Sequence, residues 1–157
     1  MDGESKFGCK GLSILLVETN KTDVSAILNV FNKNNIIDKV SVFSDSSQLV
    51  NHLFGSDYSK HSAKIPTLVL FSLSMSDISP SELINKLQTN PYTKSIRVIF
   101  LAASKEEYEL IKAQTPAQCC CICKPLNFTN LNKALLSLNL KWLMIGEPKY
   151  FNENSNA

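Results

Sequence analysis

The sequence predicts an α/β fold, a doubly wound three-layer sandwich built around a parallel sheet. Three observations carry this. Short apolar runs of strand length alternate with stretches whose apolar residues recur at helical spacing, five times along the chain. The middle run, Thr67 to Met75, reads Thr-Leu-Val-Leu-Phe-Ser-Leu-Ser-Met and is apolar almost throughout, as a strand buried on both faces requires. Strand–helix–strand crossovers in one sheet are right-handed, and that leaves the doubly wound arrangement.

The elements follow in order. Leu12 to Val17 is the first strand by composition, ending in Glu18-Thr19-Asn20. Asp23 or Thr22 can cap the helix that follows, because a side-chain oxygen there accepts free amide hydrogens of the first turn. Val24, Ile27, Leu28 and Phe31 give that helix one apolar face, and Asn34-Asn35 ends it. Lys39 to Phe43 is a second strand. Ser44 to Ser47 turns the chain into a short helix with Leu49, Val50, Leu53 and Phe54 on its inner face. Gly55 to Ile65 is a polar surface loop. After the central strand and a loop from Ser74 to Ser79, Pro80 suits the first turn of a third helix, where its missing amide hydrogen costs little. Leu83, Ile84 and Leu87 turn inward, and Asn90-Pro91 breaks the helix. Ile96 to Leu101 is the fourth strand. Lys105 to Ala113 is a charged helix with Tyr108 and Ile111 inside, closed by Pro116. Cys119 to Cys123 is the fifth strand. Asn127 or Thr129 starts a last helix carrying Leu131, Leu135, Leu138 and Trp142. The chain thus reads as a flexible N-terminus over 1–11, one domain over 12–146 and a polar tail over 147–157.

Composition narrows the function. A length of 157 residues and an apolar fraction of 44% suit a single domain with a sizeable core. A net charge of +2 is too small to imply nucleic acid or membrane as a partner. No segment approaches the roughly 18 to 20 consecutive apolar residues that span a bilayer, and Met1 to Lys10 lacks a signal-peptide core. The expected location is the cytoplasm. Four of the five cysteines, Cys119, Cys120, Cys121 and Cys123, fall within one short strand. Neighbours on a strand point to opposite faces, so this is no disulfide framework. Cys121-Ile122-Cys123 also has the wrong spacing for a zinc knuckle. Buried thiols acting as small apolar side chains are one reading of the cluster. Redox sensing at Cys121 or Cys123, with Lys124 lowering a thiol pKa, is another.

In open α/β sheets, ligands and catalytic groups sit beyond the carboxyl ends of the strands. The residue there on the central strand is Ser72. A serine needs a base to become a nucleophile. His52 and His61 lie on the second helix and the loop after it, away from that end. Lys124, at the end of the fifth strand, can pair with Glu18.

Four stretches resemble the receiver domain of two-component response regulators. They are Ile14-Leu15-Leu16-Val17-Glu18, Leu68 to Leu73 (Leu-Val-Leu-Phe-Ser-Leu), Val98 to Ser104 (Val-Ile-Phe-Leu-Ala-Ala-Ser), and Cys121-Ile122-Cys123-Lys124-Pro125. The likeness covers about Leu12 to Ile145. Asn90-Pro91-Tyr92, the long loop before the third strand and Lys141-Trp142-Leu143 look like the single-domain regulators associated with phytochromes. The resemblance implies a flavodoxin-like (βα)5 sheet with strand order 2-1-3-4-5. It also implies two acidic residues after the first strand to hold Mg²⁺, an aspartate after the third to accept phosphate, and a hydroxyl ending the fourth. A switching aromatic on the fifth strand and a lysine followed by a cis proline complete the pattern.

Against that pattern, Glu18 keeps one acid and Thr19 stands in place of the other. Ser72 stands at the acceptor, Ala102 at the hydroxyl sensor and Cys121 at the switch aromatic. Lys124 and Pro125 remain, with a cis bond between them implied. Asp77, five residues past Ser72, has no easy route to substitute. The expectation is a degenerate receiver that is not an enzyme, has no cofactor, and binds Mg²⁺ weakly or not at all. It acts by contact with a protein, a histidine kinase or phytochrome-like sensor, or as a homodimer, with Leu138, Trp142 and Ile145 at the interface. Two other readings stay open: a redox-responsive or catalytic protein using Cys121, Cys123 or Ser72, and a phosphorelay receiver phosphorylated by an unusual route.

Overall fold

A computed structural model describes residues 14–33, 40–55, 66–73, 78–116 and 119–140. Five strands and five helices alternate: β1 (Ile14–Val17), α1 (Lys21–Lys33), β2 (Val40–Phe43), α2 (Ser46–Phe54), β3 (Leu68–Ser72), α3 (Pro80–Gln88), β4 (Arg97–Ala102), α4 (Lys105–Gln114), β5 (Cys120–Cys123) and α5 (Phe128–Ser137). The strands form one sheet in the order β2-β1-β3-β4-β5, and every neighbouring pair is parallel. This is the flavodoxin-like arrangement.

The apolar runs are explained by what covers them. Successive residues of a strand point to opposite faces. Ile14, Leu16, Leu68, Leu70, Ile99, Leu101 and Ile122 meet Ile27 and Phe31 of α1 and Leu131 and Leu135 of α5. The alternate residues Leu15, Val17, Val69, Phe71, Val98 and Phe100 meet Leu49 and Leu53 of α2, Leu83 and Leu87 of α3, and Ile111 of α4. Both faces of β1 and β3 are therefore dry, and neither strand contains an exposed position. Phe71 and Phe100 pack edge to face with centroids 6.0 Å apart. Fully burying an aliphatic side chain of this kind contributes about 1.5–3 kcal/mol.

Several boundaries differ from the sequence reading, each for a local reason. The first helix is capped by neither Asp23 nor Thr22. Asn20 caps it, its side chain accepting from the Asp23 amide at 2.9 Å. The fourth strand begins at Arg97, because the Ile96 amide is spent on the Thr93 carbonyl in the preceding turn. It then runs one residue further, to Ala102. The fifth strand begins at Cys120, since the Cys119 amide turns back to Pro116. Asn127 rather than Thr129 caps α5, in a reciprocal pair with Asn130. Leu138 is 5% exposed and packs within the core, so its side chain faces inward and is no part of an outer contact surface. Readings that fall on the N-terminus through Ser13, on Asn34, Asn35, the loop over 56–65, Asp77, Trp142, Ile145 and the tail lie outside the described residues.

Candidate functional site

Parity along the strands sets the site. Glu18 continues the face of Ile14 and Leu16, Ser72 that of Leu68 and Leu70, and Lys124 that of Cys120 and Ile122. The ladder extends past two strand ends to hold this phase: the Glu18 amide donates to Phe43 at 3.0 Å, and the Lys124 amide to Ala102 at 2.8 Å. All three side chains therefore meet at the carboxyl edge of the sheet, on the side covered by α1 and α5. The Lys124–Pro125 bond is cis.

Lys124 is the centre of the cluster. Its Nζ donates to Glu18 Oε1 at 2.6 Å, to Asp23 Oδ2 at 2.9 Å and to Ser72 Oγ at 3.1 Å. An ammonium has three donors, and here each has an acceptor. Glu18 is 2% exposed and Ser72 fully buried. The other Glu18 oxygen, Oε2, accepts the Asn20 amide at 3.0 Å. Asp23 forms the outer wall, its side chain 37% exposed. Burial works against the charge on Lys124, but its hydrogen bonds to Glu18 and Asp23 outweigh it and raise its pKa.

That protonation decides a chemical question. A lysine activates a serine only when neutral, so that it can take the hydroxyl proton. Lys124 is held charged by two carboxylates and donates to Ser72, so it is no base for Ser72. Nor is Lys124 among the groups that move the Cys121 thiol. Burial, then the neighbouring Cys123, push the Cys121 thiol up to about 12. A thiol held protonated is a poor nucleophile.

The remaining predicted residues do not join the cluster. Thr19 is exposed at the end of β1. Ala102 is buried on the opposite face of the sheet, among the residues covered by α2, α3 and α4, and Cys121 packs at the edge of the same group. Asp23 is the one member that sequence reasoning missed. The signal was available: Asn20 lies three residues before Asp23, the spacing of a cap and its third helical residue, so Asn20 could cap and leave the Asp23 carboxylate free.

Fold and site together define a receiver-like protein, with an acidic pocket and a lysine at the strand ends. Comparison with solved structures agrees. The bacteriophytochrome response regulator AtBRR is 25% identical, with a TM-score of 0.72, over 83% of this chain and 94% of its own. The bacteriophytochrome response regulator RtBRR is 24% identical, with a TM-score of 0.69, over 81% of this chain and 77% of its own. The phosphorylated cyanobacterial phytochrome response regulator RcpA, at 21% identity and a TM-score of 0.59, matches over 85% of this chain and 94% of its own. No protein-family model matches the chain, and no curated protein matches it by sequence. Among the described residues, no helix is long and apolar enough to cross a membrane.

Proposed function

We propose that this chain is a cytoplasmic receiver-type signalling module, not an enzyme, that works by binding a protein partner and has given up the phosphate switch. The observation that carries this is Ser72. At the carboxyl end of the central strand, where the family resemblance implies an acceptor aspartate, stands a buried hydroxyl held by Lys124. An acyl phosphate needs a carboxylate, and phosphoryl transfer needs charge stabilisation, supplied in this family by Mg²⁺. Mg²⁺ takes oxygen ligands in octahedral geometry, usually with one or two carboxylates. The residues present do not fit it: the Lys124 ammonium holds one oxygen each of Glu18 and Asp23, and the backbone holds the second oxygen of Glu18. Readout is missing as well, since Ala102 has no hydroxyl to follow a phosphate and Cys121 no ring to move.

Intact mass after treatment with acetyl phosphate and Mg²⁺ tests the reading. The expected result is an unchanged mass. An added phosphoryl group that is lost at alkaline pH would establish the unusual phosphorelay route instead.

The partner in this reading is a sensor kinase of the phytochrome-like type or a second copy of the chain. Trp142 and Ile145, just past the last core residues of α5, carry the contact. Sedimentation at micromolar concentration, with Trp142→Glu alongside, checks the homodimer. A dimer that the substitution dissociates is expected, and a wild-type monomer removes that half of the reading.

A further inference from the structure

We infer that the groove along β5 is a modification site for an anionic low-molecular-weight disulfide of the glutathione class, with Cys120 as the nucleophile and Lys112 and Lys133 receiving the carboxylates of the adduct. The inference stands apart from the binding-module reading, since acetyl phosphate reports on Ser72 and a mixed disulfide on Cys120.

β5 is the outermost strand of the sheet. Beside it lies an open groove of about 440 Å³, a volume that suits a small molecule. Lys112 of α4 and Lys133 of α5 line the groove, one from each helix, and both are exposed. No carboxylate is among the described residues that line it. Glu107, whose charge reaches Cys121, lies outside that lining. The groove therefore draws anions.

Four thiols line the same groove, and they are not equivalent. Burial pushes the thiols of Cys119 and Cys121 up, the latter to about 12, against the pull of Lys112. Cys123 is exposed, but its sulfur faces the Ser104 carbonyl, which has no proton to offer a thiolate. Cys120 is placed differently. Its Sγ lies 3.9 Å from the Ala134 carbonyl and 3.3 Å from the Ser137 hydroxyl. As a thiol it donates to the carbonyl, and as a thiolate it accepts from Ser137. Lys133 precedes Ser137 by four residues, so the ammonium and the hydroxyl are neighbours on the surface of α5.

The step is thiol–disulfide exchange. The Cys120 thiol gives its proton to water. The thiolate attacks one sulfur of the disulfide, and a new S–S bond forms as the old one breaks. The other half leaves as a thiolate and takes a proton from water. Cys120 is oxidised and the departing half is reduced, so no further oxidant enters. The retained glutathionyl group carries two carboxylates and one ammonium, a net charge that the two lysines complement.

The test treats the reduced wild-type protein with glutathione disulfide or with cystamine, a cationic disulfide, at low ionic strength. Rates are normalised to those of N-acetylcysteine, and peptide fragmentation locates the adduct. The expected product carries one glutathionyl group, on Cys120, and a dithiol reductant removes it. Its normalised rate should exceed that of cystamine by about tenfold. The double variant Lys112→Ala, Lys133→Ala should lose that preference, whereas Ser137→Ala should slow both disulfides alike. An adduct confined to Cys123 would overturn the inference. So would equal normalised rates in wild type, a preference that the double variant keeps, an undiminished rate in Ser137→Ala, or a disulfide within the chain that retains no glutathionyl group.

Discussion

Cys121 and Cys123 lie two residues apart on β5 and share a face, yet their surroundings differ. Cys123 is exposed, and its sulfur lies 3.8 Å from the Ser104 carbonyl. Cys121 packs against the core, and burial, then the nearby Cys123, push its thiol from 9.0 to about 12. At mildly alkaline pH, iodoacetamide should therefore modify Cys123 well before Cys121, as peptide mass mapping would show. Cys121 reacting first would revive the redox reading. The same shift fixes a sign for stability. The fold favours the protonated thiol, so its contribution is full below about pH 9 and is lost as pH rises toward about 12. Lys124 acts in the same direction, because its raised pKa contributes stability that is lost as pH climbs through the folded value, above 10.5. Denaturant midpoints measured across the alkaline range should fall with pH, and Cys121→Ala should make that fall shallower without abolishing it. An unchanged slope would show that Cys121 is not held protonated by the fold.

Helix starts are where local chemistry and the site meet. Asn20 ends the turn after β1, caps α1 with its side chain, and gives its own amide to Glu18. It thereby sets the position from which Asp23 reaches Lys124. Replacing a capping Asn by Ala costs about 0.5–2 kcal/mol. Asn20→Ala should lower the free energy of unfolding by an amount in that range, read as a lower urea midpoint at an unchanged m-value. A larger loss, shared with Asp23→Ala in a double-mutant cycle, would show that the cap and the ion pair act as one unit. The strands were legible in the sequence because both faces of β1 and β3 are covered, so no polar residue interrupts them. The caps were less legible. Asn20, Thr22 and Asp23 all have capping side chains within four residues, and only the backbone path out of β1 decides which is used. The start of β4 was hidden for a similar reason: Ile96 is as apolar as the strand it precedes, but its amide belongs to the turn.

At the scale of the whole molecule, Lys124 ties the sheet together, reaching from the end of β5 across β4 to Ser72 on β3 and Glu18 beyond β1, and out to α1. The pairing of Lys124 with Glu18 was legible in the sequence, since both stand at strand ends in the same phase. The contact to α1 was not, because it depends on how that helix packs across the sheet. This topology gives a reconstruction its logic. Ser72→Asp places a carboxylate where the Ser72 hydroxyl now accepts from Lys124, so the lysine gains a third acidic partner and its hold on Glu18 and Asp23 is shared. Thr19→Asp adds an acid at the exposed end of β1. Ala102→Thr puts a hydroxyl at the end of β4, beside β3, whose Ser72 pairs in register with Leu101. Together the three should restore Mg²⁺-dependent uptake of phosphate from acetyl phosphate, read as an added phosphoryl mass absent in EDTA. Ser72→Asp alone should give less, because the acid at the end of β1 is still missing. If the triple variant folds and binds Mg²⁺ but takes no phosphate, the acceptor is misplaced relative to the metal. If it folds and binds no Mg²⁺, the carboxylates placed at 19 and 72 do not reach one metal with Glu18, and the assignment of Ser72 to the acceptor position fails.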